Sequence, residues 1–260
     1  MDLGLKGRRA IVSAASKGLG RACAMSLAQE GVDLVLNARN AEALDATAED
    51  IRKATGVEVR TVAADYNTDE GRQAVFEAVG EPDILVTNPG VRQIPGDFAE
   101  WGKDEWQYWL DVHFFSSLQM IQTVLPGMRE RKFGRIVNIS VSFIKFPQQN
   151  FAHSHAARLA LSGAIAAMVR DVAPDNVTIN TVCPGFFDTD ALTTNLHNHA
   201  RRGNTTYEAI VENRLQSVPA GRFADPSECG DLVAFLCSSQ AGFIVGQNIV
   251  NDGGVYQGLF

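Results

Sequence analysis

The 260-residue chain has no long apolar run, no stripe of basic residues and only four cysteines. Each absence removes a class of protein. Nothing approaches the roughly 20 consecutive apolar residues that span a bilayer. The N-terminal MDLGLKGRRAIVSAAS is apolar only in patches, too little for a signal peptide's hydrophobic segment, so no membrane partner is expected. Formal net charge is -7 with Lys and Arg dispersed, and a nucleic-acid partner would need a concentrated basic footprint. Cys23, Cys183, Cys229 and Cys237 lack CxxC spacing, which argues against a zinc site or a disulfide framework and for reduced thiols in a cytoplasmic protein. No linker, low-complexity tract or internal repeat divides the chain, so one domain over 1–260 is expected.

What is present is alternation. Short β-rich runs at 8–13, 32–37, 57–63, 82–87, 134–140, 177–183 and 247–251 are separated by helical periodicity at 18–30, 41–55, 68–79, 104–131, 151–173 and 226–238. Several of the strand runs are apolar almost throughout, as strands covered on both faces should be. The pattern predicts an α/β fold: a Rossmann-type, doubly wound parallel sheet of about seven strands with helices on both faces and ligands at the strands' carboxyl ends. One long irregular connection, at about 188–222, is expected to serve as a substrate lid. Its His197, His199, Arg201 and Arg202 suit attraction of an anionic substrate or a solvated loop equally.

After the first strand, SAASKGLGRACA places Gly18 and Gly20 at the head of a helix, where backbone amides can cradle a pyrophosphate. The second strand ends in NAR rather than in an acidic residue. Arg39 and Lys17 can clamp a 2′-phosphate, so NADP(H) is expected ahead of NAD(H).

These features, in this order, resemble the short-chain dehydrogenase/reductase family, whose first turn reads TGxxxGxG. Here it reads Ser13, Ala14, Ala15, Ser16, Lys17, Gly18, Leu19, Gly20, with Ala14 in place of the first glycine. A positive φ at Ala14 would cost roughly 1 kcal/mol. The resemblance implies an adenine contact at Asp65 with Tyr66, and a TNPG segment with Asn88 and Gly90. It also implies that the PGFFDTD loop, with Pro184 and Gly185 among the cofactor-binding residues, holds the nicotinamide carboxamide through Phe187 and Thr189. It covers essentially the whole chain, and it implies a homotetramer, with a dimer next, through the small-residue helix 151–173.

The family's proton chemistry uses a tyrosine, a lysine four residues later on the same helix face, a serine and an asparagine. With register set by GRIVNIS and VTINTVCPG, those places hold Ser154, Arg158, Val141 (flanked by Ser140 and Ser142) and His113. A serine is a far weaker acid than a phenol, and an arginine does not shuttle protons. The form SxxxR with TNPG resembles a divergent subgroup that is 3-oxoacyl-carrier-protein-reductase-like; the related halohydrin dehalogenases also carry arginine but keep serine and tyrosine.

The expected activity is hydride transfer between NADP(H) and a small carbonyl or alcohol. The polar groups would be Arg158, His113, Ser154, Ser140 and Ser142, with His113 either a replacement acid or a core histidine. His153 and His155 flank Ser154 and should face away from it, toward the lid or a neighbouring subunit. A Ser-His nucleophile pair and a histidine metal site both fail on helix geometry. Two alternatives stay open: a cofactor-independent lyase, dehydratase or dehalogenase-type enzyme, and a non-catalytic nucleotide sensor.

Overall fold

The computed structural model describes residues 2–90, 98–149 and 151–259. Runs rich in Val, Ile and Leu form β1 (Arg9–Ser13), β2 (Asp33–Ala38), β3 (Val59–Ala63), β4 (Ile84–Thr87), β5 (Gly134–Ile139), β6 (Val177–Pro184) and β7 (Asn248–Asn251). All pair in parallel, in the order β3-β2-β1-β4-β5-β6-β7. Parallel pairing demands crossovers, supplied by α1 (Gly18–Gln29), α2 (Ala41–Thr55), α3 (Asp69–Val79), α4 (Lys103–Leu110), α5 (Ser116–Glu130), α6 (Ala152–Val172), α7 (Asp190–Arg202), α8 (Tyr207–Gln216) and α9 (Pro226–Cys237). With helices on both faces, β4, β5 and β6 are buried at every position.

The period-2 alternation of strands divides the core into two layers. Ala10, Val12, Leu34 and Leu36 join one cluster with α1 and α9. Ile11, Val35, Leu85 and Ile136 join the other with α5 and α6. In the first layer α1 and α9 approach so closely that a Cβ on Gly230 would stand 2.5 Å from Ser26 Oγ. At the opposite end of the strands from the cleft, Arg135 is buried and satisfied. Its guanidinium donates to the carbonyls of Gly134, Asn176 and Ser238 and lies over the Phe133 ring.

Three expectations need correction. The helix anticipated over 104–131 is interrupted by a π-helical turn, Asp111–Phe115, in which the Ser116 N–H donates to Asp111 O five residues back. Residues 188–222 are not irregular: they hold α7 and α8, started by Thr189 and Thr206 hydroxyls that accept from Leu192 N and Ala209 N. His153 and His155 are buried, and His153 packs on Trp101 and Trp109 rather than on the lid. Among the described residues no helix is long and apolar enough to cross a membrane.

Candidate active site

The sheet order reverses between β1 and β4, and crevices form at such switch points beyond the carboxyl ends of the strands. A cleft of about 640 Å³ lies there. Arg39, Asp65 and Tyr66 border one end; Ser140, Arg158 and Gly185 border the other; Ser16, Lys17, Gly18 and Leu19 lie between, with Asn88, Gly90, Pro184 and Thr189.

The glycine turn is backbone geometry. Ala14 adopts φ +49°, the left-handed conformation a glycine would take freely, and Gly18 adopts φ +57°. Gly20 is buried, and a Cβ there would sit 2.3 Å from the Ala14 carbonyl oxygen. The turn therefore closes without its first glycine but not without this one. Ser13 does not border the cleft. Its hydroxyl donates to Val86 O and accepts from Asn88 N at 2.7 Å, tying the ends of β1 and β4 together. Arg39 is exposed and pairs with no carboxylate among the described residues. Lys17 faces Asp190 of α7 at 3.9 Å across the mouth, both side chains solvated, a pair of little energetic weight. Asp65 accepts from Asn67 N in the turn after β3, and the Tyr66 ring is buried in the second core layer with its hydroxyl unbonded.

The other end is built from side chains. Arg158 is half-buried on α6; its Nε donates to Ser154 Oγ one turn earlier at 3.1 Å, and its outer nitrogen lies 3.4 Å from His113 Nε2. No carboxylate among the described residues pairs with it. Burial pushes its pKa down to about 10, which leaves it a cation at neutral pH. The π-helical turn sets His113 against it. Because a guanidinium only donates, the facing Nε2 must be the acceptor and the ring proton is assigned to Nδ1, which is buried without a partner. Burial first, then Arg158 and His153, pull the His113 pKa down to about 2. It is therefore neutral and has no proton to give at the atom facing the site.

Around this pair lies an aromatic nest. His113 stacks on Trp109 at 5.5 Å, His153 meets Trp109 at 4.2 Å and Trp101 at 4.3 Å, and burial brings the His153 pKa down to about 4. Of the serines, Ser140 borders the cleft with its buried hydroxyl unbonded, whereas Ser142 is buried in a short 3₁₀ turn and does not border it. Ser154 and His113 reach the cleft only through Arg158. Phe187 also lies off the cleft, buried and bridged to Ala224, while Thr189 caps α7. A Cβ on Gly185 would stand 2.6 Å from Asp252 Cα, so the loop after β6 needs glycine there. Among the described residues no group of three His, Cys, Asp or Glu is arranged to hold a metal.

Sequence reasoning missed Asn37, whose amide ties β2 to the turn after β3 by donating to Val62 O and Ala64 O, and Lys145 and Arg214, taken up below. A polar residue inside an apolar strand was the available signal for Asn37.

The fold and the cleft define a dinucleotide-binding α/β oxidoreductase. The family model described as enoyl-(acyl carrier protein) reductase matches residues 13–256. The chain belongs to the short-chain dehydrogenase/reductase family and is 3-oxoacyl-carrier-protein-reductase-like. It is 32% identical over 269 residues to the uncharacterized oxidoreductase YvaG of Bacillus subtilis, with 100% of both chains covered. It is 31% identical to the 3-oxoacyl-[acyl-carrier-protein] reductase FabG of Vibrio cholerae, covering 98% of this chain and 99% of that one. L-Sorbose reductase from Gluconobacter frateurii, solved with NADPH and L-sorbose, superposes with a TM-score of 0.93 at 29% identity over 100% of both chains.

Proposed function

We propose that the protein is an NADP(H)-dependent reductase or dehydrogenase of a small carbonyl or alcohol, in which Arg158 takes over the polar work at the reacting carbon. The observation that carries this reading is one cleft with an arginine at each end, Arg39 and Arg158, neither of which pairs with a carboxylate among the described residues. NADPH-bound L-sorbose reductase, similar over its whole length, supports NADP(H) over NAD(H).

The residues fit the cofactor. Gly18, Leu19 and Gly20 hold backbone amides toward a pyrophosphate at the head of α1, with Ser16 beside them. Arg39 and Lys17 supply donors for a 2′-phosphate, Asp65 and Tyr66 border the adenine end, and Asn88 and Gly90 wall the middle. Pro184, Gly185 and Thr189 border the nicotinamide end, with Phe187 anchoring that loop and Ser13 bracing the turn. When bound, the nicotinamide supplies or accepts the hydride.

In the reductive direction the carbonyl π pair moves onto oxygen as hydride adds to carbon. Arg158 and the unbonded Ser140 hydroxyl hydrogen-bond that oxygen as its charge develops. Ser154 and neutral His113 hold the guanidinium in place by accepting from it. The alkoxide is then protonated by water, because among the described residues no phenol borders the cleft at this end and the imidazole facing Arg158 is neutral. Helices α7 and α8 form the lid over 188–222 of a single domain, 1–260. The small-residue face of α6 supports a homotetramer, and four buried free cysteines support a cytoplasmic setting.

Titration with NADPH and NADH tests the reading. NADPH should enhance its own fluorescence on binding at lower concentration than NADH; no binding of either at millimolar concentration would overturn it. The missing phenol favours one second reading, a cofactor-independent lyase or dehalogenase-type reaction on Arg158, which turnover without an NADPH absorbance change would support.

A further inference from the structure

An aromatic cluster stands in the loops that leave the cleft after β5 and β6. Phe143 follows Val141 of the cleft by two residues, and Phe186 follows Gly185 directly. Phe143 meets Phe146 edge-on at 5.3 Å and Phe186 at 5.9 Å; Phe146 stacks on Tyr256 at 5.8 Å, and Phe186 tilts against Phe223 at 6.5 Å. The rings come from the loop after β5, the loop after β6, the chain before α9 and the C-terminal stretch.

Helix α8 sets Arg214 on this cluster, its guanidinium carbon 4.7 Å from the Phe186 centroid. Arg214 is half-buried, and burial lowers its pKa from the usual guanidinium range. Its guanidinium donates to no described residue and pairs with no described carboxylate. Lys145, half-buried on the facing loop, is unpaired in the same way, and its field reaches Cys183, which Arg158 also influences. The buried carboxylate nearby, Asp252, is committed elsewhere: it accepts from the N–H groups of Gly254, Val255 and Tyr256. Arg214 thus rests on the aromatic cluster with no carboxylate partner among the described residues, and Lys145 lies between Phe143 and Phe146 in sequence.

Partly desolvated guanidinium donors without acceptors are costly, and an incoming anion relieves that cost. A guanidinium's planar fork matches a carboxylate, and aromatic walls favour a flat apolar body. We propose that Arg214 is the specificity-determining residue of the reacting end, selecting a substrate whose carboxylate it binds while an aromatic or conjugated body lies against Phe143 and Phe186. The inference rests on the oxidoreductase reading for the identity of the reacting end and adds the substrate class, an aromatic or conjugated oxo acid or its hydroxy acid.

Phenylglyoxylate and its methyl ester, titrated calorimetrically into the protein with and without NADP⁺, test it. The acid should bind at least about tenfold more tightly than the ester, as a charge-assisted hydrogen bond to a guanidinium implies. Arg214→Ala and Arg214→Gln should abolish that ratio, Arg214→Lys should keep part of it, and all three should keep the parent's NADPH affinity. An acid that binds no better than its ester, no binding of either, or a ratio intact in Arg214→Gln overturns the proposal. If Arg214→Ala does not fold, the parent ratio and the Gln and Lys variants still decide. NADPH that fails to bind counts against the oxidoreductase reading alone, because the acid-to-ester ratio is read separately in cofactor-free protein.

Discussion

At the β1 end of the cleft the fit is made by main chain: a left-handed Ala14, a left-handed Gly18 and a Gly20 pressed on the Ala14 carbonyl. At the α6 end it is made by side chains: Arg158 hung between Ser154 and a neutral His113, backed by Trp109 and His153. Main-chain fits tolerate almost any residue that leaves the path of the chain open. Side-chain fits depend on every member, because a buried polar group that loses its partner loses its hydrogen bond without regaining water. All five histidines lie after residue 112, and three of them, His113, His153 and His155, are buried at the α6 end, which makes that end the proton-sensitive one.

The contrast can be broken by substitution, beginning with the largest expected effect. Arg158→Ala removes the fixed cation, and kcat/KM should fall by about 10²–10³-fold, the usual loss for one donor to a developing oxyanion, while NADPH affinity changes less than tenfold. Steady-state kinetics beside a fluorescence titration checks it; equal loss of both would move Arg158 from the chemistry to cofactor binding.

Gly20→Ala should cost about 1–3 kcal/mol by overpacking against backbone and weaken NADPH binding more than tenfold. Urea midpoints and the same titration report it, and a variant with parental affinity would show that the turn is not the cradle.

The histidines predict a pH dependence. Burial lowers the folded pKa below the ordinary value near 6.5 at the three buried ones, to about 2 at His113 and about 4 at His153, with His155 also lowered. The unfolded chain therefore binds protons that the fold refuses. Stability should be complete above about pH 6.5 and fall below it by about 1.4 kcal/mol per pH unit for each neutral histidine, down to its folded pKa. Urea midpoints at pH 7 and pH 5 measure the slope, and His113→Asn should make it shallower. A parental slope in that variant would mean that His113 is charged or exposed.

The smallest effect is a gain. Ala14→Gly should relieve the left-handed strain and stabilise the protein by roughly 1 kcal/mol, raising Tm by a few degrees.

The fold was legible because its signals are local and ordered. Glycines at a strand-to-helix turn, apolar strand runs and helical periods recur in one sequence of motifs, and even the left-handed Ala14 follows from counting back from Gly18. The π-helical turn was not legible, since Asp111–Phe115 carries an ordinary helical pattern, and the contacts His113 makes there, with Trp109 and with Arg158 from α6, join segments whose meeting no spacing encodes. Helix α7 left a signal that went unread: Thr189 as a cap, then Leu192, Leu196 and Ala200 at helical spacing.

By itself the sequence determined the α/β class, the parallel doubly wound sheet of about seven strands and the placing of the cleft beyond the strands' carboxyl ends, because parallel strands and helical crossovers admit few arrangements. Tertiary structure alone decided which serine faces the cleft, which nitrogen of His113 faces Arg158 and that Arg214 rests on Phe186. Those outcomes depend on rotamers and burial between segments far apart in the chain, and no spacing along the sequence encodes them.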